Sequence, residues 1–239
     1  MARPRPLGDL LSFGGRVPSV IGGLIAGIVV ASLLSRLGGL SSWTFLAPGL
    51  VLEGELWRLL TWPFVDVDPL SLLFAALTLY WFGRDLAHAW GPRRFLLTWL
   101  GFGAASGLAT VLLSLAVPSL AAQGYSGPWA VISALLVAWG LLFPERQMLL
   151  YMALPLSGRG LVWVTVGGTL FFAAFGGLGA YVPHLAAEGL VFLWFRGLSP
   201  RGAWQSLRIR LGERRLRRRA KHLRVIRKNG KGDPPSWVN

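Results

Sequence analysis

The stretch that decides the fold is GYSG at residues 124–127, followed by Pro128 and the apolar run 129–143. A serine between glycines at the start of a hydrophobic helix fits two situations. It marks a place where helices pack closely, because small residues let backbones approach, or it marks a nucleophile that a substrate backbone can reach. A motif this short does not separate the two, so its structural context has to decide.

Composition places the chain among the multi-pass membrane proteins. Of its 239 residues, 54% are hydrophobic and only 14% are charged, which is more apolar material than a soluble domain of this size buries. The chain contains no cysteine, which excludes disulfides, thiolate metal sites and a cysteine nucleophile. Prolines interrupt the basic N-terminus and no short apolar core with a cleavage site follows, so we expect no cleaved signal peptide.

Six apolar runs predict six membrane-spanning helices, since about 20 apolar residues cross a bilayer. The predicted fold is therefore an all-α membrane protein, a six-transmembrane-helix bundle. The second run is short for a full crossing, and we expect it to extend at one end. Aromatic and charged residues mix in the segment 41–68, which is typical of a loop lying in the membrane interface. The predicted spans are 17–34, 69–83, 95–117, 126–143, 161–175 and about 181–195.

Three segments make up the predicted organisation. They are a cytoplasmic N-terminal segment (1–16), a membrane domain (17–198) and a basic cytoplasmic tail (199–239). The tail holds more than half of the chain's 24 Lys and Arg residues, with apolar residues at helical spacing in its first part. We expect it to lie on the membrane and bind anionic lipid head groups. Such basicity also permits nucleic-acid binding, but no interleaved stacking aromatics favour it, and no nucleic-acid partner is expected.

The distribution of arginines predicts the orientation. They precede the first span and lie in the connectors after the second and fourth spans, whereas the opposite connectors carry acids or no charge apart from Arg36 and Arg58. By the positive-inside rule both termini are cytoplasmic, and we expect a multi-pass protein of the plasma membrane. Ser126, at the start of the fourth span, and His184, in the first turns of the sixth, then lie at similar depth near the outer boundary. A nucleophile and its base require such proximity.

His184 also has a purely structural interpretation, as a buried imidazole hydrogen-bonded to a neighbouring helix. Ionisable groups inside a membrane span are nevertheless rare and tend to be functional. The other two histidines, His88 and His222, fall on the predicted cytoplasmic side. They are therefore excluded as partners of Ser126.

With these residues in place, the chain resembles the rhomboid intramembrane serine proteases. That family has a six-helix core, a Gly-x-Ser-Gly motif that opens the fourth helix and a histidine in the sixth. Residues 124–127 match the motif, and His184 matches the histidine. The resemblance implies that Ser126 is the nucleophile and His184 its base, and that Gly124 and Gly127 support the serine.

Further matches extend the resemblance over roughly residues 17–197. The family's Trp-Arg pair in the first outer loop corresponds to Trp57 and Arg58. We assign this pair a structural role, because Trp anchors the membrane interface and an Arg there hydrogen-bonds loop carbonyls. Gly83 and Gly91 correspond to the glycines that close the second helix and open the third.

The chain departs from the family where the oxyanion is bound. Rhomboids commonly carry His-x-x-x-Asn in the second helix, and the matching positions here are Ser71 and Ala75. Ser71 can donate one hydrogen bond and Ala75 none, so the remaining donors are the backbone N–H groups of Ser126 and Gly127, where the helix dipole also favours negative charge. Losing one oxyanion donor costs about 10²–10³ in rate in a soluble protease. We therefore expect a slow enzyme.

Two further departures surround the histidine. Ala130 stands where many rhomboids carry a tyrosine that packs on the histidine, and Pro183 replaces the small residue that usually precedes it. Glu188 lies one helical turn after His184, on the same helix face. Its carboxylate would orient His184 and stabilise the imidazolium. The alternative is a protonated Glu188 hydrogen-bonded between helices. Two ligands are too few for zinc, and no metal or cofactor is expected.

The predicted function is therefore a serine endopeptidase that cleaves transmembrane protein substrates near the outer membrane boundary with a Ser126–His184 dyad. The first alternative is a rhomboid-like pseudoprotease that binds membrane helices without cutting them, which the missing oxyanion pair and Ala130 favour. The second is a small transporter or channel. That class would need polar residues along a path through the mid-membrane, and the spans offer few.

Overall fold

The computed structural model describes residues 18–150 and 154–198, which are predominantly helical. The predictions for the N-terminal segment 1–16 and the tail 199–239 lie outside the described residues. In chain order the α-helices are α1 (Ser19–Leu37), α2 (Ser41–Thr44), α3 (Pro48–Leu52), α4 (Arg58–Thr61), α5 (Pro69–Thr78), α6 (Arg84–Trp90), α7 (Pro92–Ala116), α8 (Trp129–Leu142), α9 (Gly158–Gly176) and α10 (Leu178–Leu193). Single 3₁₀ turns lie at Trp62–Phe64 and Pro118–Leu120, and π-helical turns at Leu79–Gly83 and Trp194–Leu198.

Five of the helical segments in the described part are long and apolar enough to cross a membrane. The second predicted span does extend at one end, because the π-helical turn joins α5 to α6 into one segment, Pro69–Trp90. Asp68 caps its start, accepting hydrogen bonds from the amides of Leu70 and Ser71. Gly91, at φ +83°, ends it and leads directly into α7.

The fourth predicted span is shorter than expected. Helix α8 has 14 residues and is therefore about 21 Å long, against a hydrocarbon thickness of about 30 Å. The prediction began this helix at Ser126, but Gly127 has φ +97°, which an α-helix does not accommodate. The predicted six-helix bundle is thus five helices of spanning length and one short apolar helix.

Helix α8 is the centre of the core. It packs against α9 and α10 and also contacts α7, and its buried residues lie on all sides of the helix. A helix that is hydrophobic all round belongs in a protein core or in lipid, and the burial of α8 places it in the core. Trp139 shows this clearly: its ring is 2% exposed and makes an edge contact with Phe82 at 5.3 Å.

Helices α8 and α9 approach each other at two glycines. A β-carbon on Gly158 would overlap the carbonyl oxygen of Phe143, and one on Gly140 would overlap the carbonyl oxygen of Gly158. Between the two helices lies an antiparallel hairpin that the sequence analysis did not predict. Its strands, β1 (Gln147–Leu150) and β2 (Leu154–Ser157), pair with Gln147 opposite Ser157.

The segment 41–68 folds into three short helices around a buried arginine. Arg58 is 3% exposed, forms an ion pair with Glu55 and donates a hydrogen bond to the Phe45 carbonyl at 2.7 Å. The neighbouring Trp57 stacks on Trp43, with ring centroids 6.5 Å apart. These contacts agree with the structural role expected for the Trp-Arg pair.

Candidate functional site

The loop that carries Ser126 is held by backbone hydrogen bonds on both sides. Tyr125 and Leu46 exchange two N–H···O bonds of 2.8 Å, and the Gly127 amide donates to the Trp62 carbonyl at 3.1 Å. Ser126 itself is exposed, as is Gly124 before it, and within the described part of the chain neither its hydroxyl nor its amide has a hydrogen-bond partner. The predicted nucleophile Ser126 therefore makes no hydrogen bond of its own among the described residues, while the residues on either side of it, Tyr125 and Gly127, are held in place.

Tyr125 ties this loop to the helix that carries His184. Its side chain is 7% exposed, and its hydroxyl lies 2.9 Å from the Gly179 carbonyl oxygen and 2.9 Å from Gln123 Oε1. Gly179 is four residues before Pro183 in α10, and proline has no N–H to donate to that carbonyl. Burial raises the pKa of Tyr125, so its hydroxyl keeps the proton that it donates. Pro183, which departs from the rhomboid pattern, leaves the Gly179 carbonyl without its helical N–H donor, and the Tyr125 hydroxyl of the serine loop donates to that carbonyl in its place.

Replacing Tyr125 with phenylalanine tests this link. We expect Tyr125→Phe to lower the free energy of unfolding by about 1 kcal/mol, the net value of one hydrogen bond. Thermal unfolding in detergent measures the loss. As a control, Tyr80→Phe changes a tyrosine outside the loop. Equal stability of Tyr125→Phe and the unsubstituted protein would show that the hydroxyl contributes nothing to the link.

His184 lies in the first turns of α10, as predicted, and is half-buried. Its Nδ1 atom is buried and has no hydrogen-bond partner among the residues that the structure describes. The centroid of the Tyr181 ring lies 5.4 Å from that of the His184 ring, and Phe172 stacks on Tyr181 with ring centroids 6.5 Å apart. Between Ser126 and His184 no hydrogen bond forms. The two residues are thus carried by elements that contact each other, but their side chains do not form the hydrogen bond of a dyad.

Tyr181 was missed in the sequence. The rhomboid pattern places an aromatic ring against the histidine from the fourth helix, where this chain has Ala130. Here the ring comes from one turn before His184 on the same helix. The signal that would have found it is the three-residue spacing between Tyr181 and His184, since such residues are neighbours on a helix surface.

Ser71, the predicted side-chain donor for the oxyanion, already has two partners. Its hydroxyl donates to Asp66 Oδ2 at 2.5 Å and accepts from Trp129 Nε1 at 2.7 Å. The Gly127 amide is occupied as well, by the Trp62 carbonyl. Of the oxyanion donors predicted from the sequence, only the Ser126 amide is free in this structure.

Asp66, which the sequence analysis did not single out, lies next to the serine loop. A β-carbon on Gly127 would stand 3.5 Å from Asp66 Oδ2, so the carboxylate faces the residue that follows Ser126. The backbone around Asp66 is well fixed. Its amide donates to Ser32 Oγ at 2.9 Å, and its Oδ1 accepts from the Asp68 amide at 3.1 Å. A negative charge therefore stands beside the candidate nucleophile.

Glu188 forms no hydrogen bond with His184 in the described structure. It is 2% exposed, and its Oε1 accepts a hydrogen bond from Thr169 Oγ1 of α9 at 2.6 Å. Its second oxygen, Oε2, is buried without a partner. This position matches the alternative, a carboxyl group hydrogen-bonded between helices. Within the described residues, no group of three or more metal-ligating side chains could hold a metal ion.

Comparison with known protein families places the chain in an integral membrane family. The family described as "Eukaryotic integral membrane protein (DUF1751)" matches residues 19–195. The matched range includes α1 to α10 and contains both Ser126 and His184. Among curated proteins, no sequence matches this chain.

Proposed function

Because the chain belongs to the DUF1751 family of eukaryotic integral membrane proteins, we propose that it acts within a membrane, as a rhomboid-type serine endopeptidase on transmembrane protein substrates. The observation that carries the proposal is the state of Ser126. Ser126 is exposed just before the buried helix α8, and among the described residues neither its hydroxyl nor its amide has a hydrogen-bond partner. A serine placed only for helix packing would be buried against a neighbour.

The remaining parts of the proposed site support the same chemistry. The Tyr125 hydroxyl joins the serine loop to α10, which carries His184, and the His184 Nδ1 atom is free of other partners. Catalytic hydrogen bonds are often long in the absence of substrate and tighten in the complex. We therefore place the formation of the Ser126–His184 bond in the substrate complex.

In the proposed reaction, His184 takes the proton of the Ser126 hydroxyl while the serine oxygen attacks a substrate carbonyl carbon. The Ser126 amide donates to the developing oxyanion, and water then hydrolyses the acyl-enzyme. The substrate has to unwind locally, because a helix holds its carbonyls in internal hydrogen bonds. With Ser71 and Gly127 already engaged, the hydrolysis is slow.

The setting of this reaction is also part of the proposal. We propose a plasma-membrane location, and the positive-inside pattern supports an orientation with both termini in the cytoplasm and Ser126 near the outer boundary. The basic tail, 199–239, has the composition of a segment that binds anionic lipid head groups. Its partners would then be a transmembrane protein substrate and the bilayer, and no nucleic acid.

A second candidate function is a pseudoprotease that binds membrane helices without cutting them. Two observations favour it. Ser126 and His184 form no hydrogen bond, and the carboxylate of Asp66 lies beside Gly127. A negative charge near the serine opposes the formation of an oxyanion. Binding of a transmembrane helix without turnover would distinguish this candidate.

Labelling with a serine-reactive fluorophosphonate tests the proposal. We expect the purified protein in detergent to label and Ser126→Ala to lose the label completely. Ser119→Ala is the matched control, since Ser119 is also exposed and lies in the same connection between α7 and α8; it should label as the unsubstituted protein does. Absence of labelling, or equal labelling of Ser126→Ala, would exclude the protease and leave the helix-binding protein.

A further inference from the structure

We propose that Asp66 selects substrates that carry a positive charge next to the position facing Ser126. This inference deepens the proposed function by naming a substrate class, and its binding component does not depend on hydrolysis. The cation would be a Lys or Arg side chain in the juxtamembrane part of the substrate, on the side of the membrane where Ser126 lies.

The first step of the argument is position. Asp66 Oδ2 is directed towards Gly127, where a β-carbon would be 3.5 Å away, and Gly127 follows the exposed Ser126. A polypeptide that brings a carbonyl to Ser126 therefore passes close to this carboxylate. Because Gly127 has no side chain, the loop leaves this half-buried carboxylate uncovered by a side chain at that position.

The second step is charge. Within the described residues Asp66 has hydrogen-bond donors but no cationic partner. Its donors are the Ser71 hydroxyl and the Asp68 amide, and the three ion pairs of the described part involve other residues. The guanidinium of Arg36 lies near this carboxylate, but it donates to the carbonyl of Val67, the residue after Asp66, and forms no ion pair with Asp66. A substrate cation would supply the missing counter-charge.

The third step is the rigidity of the carboxylate. Ser71 is itself held by Trp129 Nε1, and the backbone of Asp66 is held by Ser32. A carboxylate fixed in this way loses little conformational freedom when it binds a cation, which is the condition under which an ion pair contributes to affinity. The same fixed charge disfavours an oxyanion nearby. A bound Lys or Arg removes that penalty, so a cationic substrate is favoured both in binding and in the reaction.

Binding of designed peptides to the Ser126→Ala protein tests the inference without hydrolysis. Two transmembrane peptides of equal length, differing only by Lys or Met at one juxtamembrane position, are titrated into the full-length protein in lipid nanodiscs. The Lys position is moved along successive residues to find the register. We expect the Lys peptide to bind about two- to fivefold more tightly than the Met peptide, the range of partly exposed ion pairs.

Substitutions of Asp66 assign the preference. Asp66→Asn should bring the Lys-to-Met ratio close to one, and Asp66→Glu should retain part of it. Glu53→Gln removes an exposed acid from the same loop and should leave the ratio unchanged. Because the side-chain oxygen of Asn can still accept a hydrogen bond from the Ser71 hydroxyl, we expect the fold to persist. Thermal unfolding checks this. A ratio near one in the Ser126→Ala protein, or a ratio that Asp66→Asn does not change, would overturn the inference.

The outcome is independent of the protease proposal. Selective binding by a protein that fails to label with fluorophosphonate would retain the role of Asp66 and assign the chain to the helix-binding alternative. Labelling without selective binding would retain the protease and remove the role of Asp66.

Discussion

Replacing His184 with alanine should lower the rate of cleavage of a transmembrane reporter by about 10³-fold or more, as the loss of a triad histidine does in soluble serine proteases. The cause is that His184 is the base of the proposed dyad, and among the described residues the Ser126 hydroxyl has no hydrogen-bond partner that could take its place. Cleavage in proteoliposomes measures the effect. Because alanine removes an aromatic contact with Tyr181, thermal unfolding has to show that His184→Ala remains folded.

His88 provides the matched control for this experiment. It is an exposed histidine near the end of α6, and its Nδ1 interacts only with the Arg84 carbonyl of its own helix. We expect His88→Ala to cleave at the rate of the unsubstituted protein. If His184→Ala kept its activity while Ser126→Ala lost it, the base would be another group, and the proposed dyad would be wrong.

The second large effect concerns packing. Gly158→Ala should lower the free energy of unfolding by about 3 kcal/mol, the upper part of the range for overpacked cores. The added methyl group would overlap the Phe143 carbonyl oxygen and stand 3.1 Å from that of Gly140. Both are backbone atoms, so no side-chain rotation relieves the overlap, and α8 and α9 have to separate. Unfolding in mixed micelles measures the difference.

Gly167→Ala is the control for Gly158→Ala. It lies in the same helix, α9, and a β-carbon there would meet nothing within 4 Å. Alanine favours the helical conformation over glycine by up to about 1 kcal/mol, so this variant should be as stable as the unsubstituted protein or slightly more so. Equal stability of the two variants would contradict the close approach of α8 and α9.

The long helices were predictable because their apolar length alone defines them. The start of α8 was not, since the apolar run continues through Pro128 while the positive φ of Gly127 keeps the preceding residues out of the helix. The hairpin of β1 and β2 was missed for a related reason. Its residues form an almost unbroken apolar run within a connector, and neither helical nor strand periodicity distinguishes such a run.

The candidate site was predictable only in its outline. Spacing and charge alternation suggested that the elements carrying Ser126 and His184 come together, and the bond from Tyr125 to Gly179 joins those elements. The partners of Ser71 and the position of Asp66 come from contacts between residues distant in sequence. No local pattern shows that the Ser71 hydroxyl donates to Asp66 while it accepts from Trp129 Nε1.

The burial of α8 also constrains how the chain assembles in a bilayer. In two-stage assembly, spanning helices insert independently and then associate, yet α8 is short and ten of its 14 residues are buried. Such a helix gains little from lipid alone and depends on α7, α9 and α10 closing around it. Helix α10 is the last of these to be synthesised. It carries the Gly179 carbonyl that accepts the Tyr125 hydrogen bond, so this bond also forms last. A partly assembled chain therefore carries Ser126 in a loop that is not yet joined to α10, the helix of His184, so any hydrolytic capacity would arise only at the final assembly step.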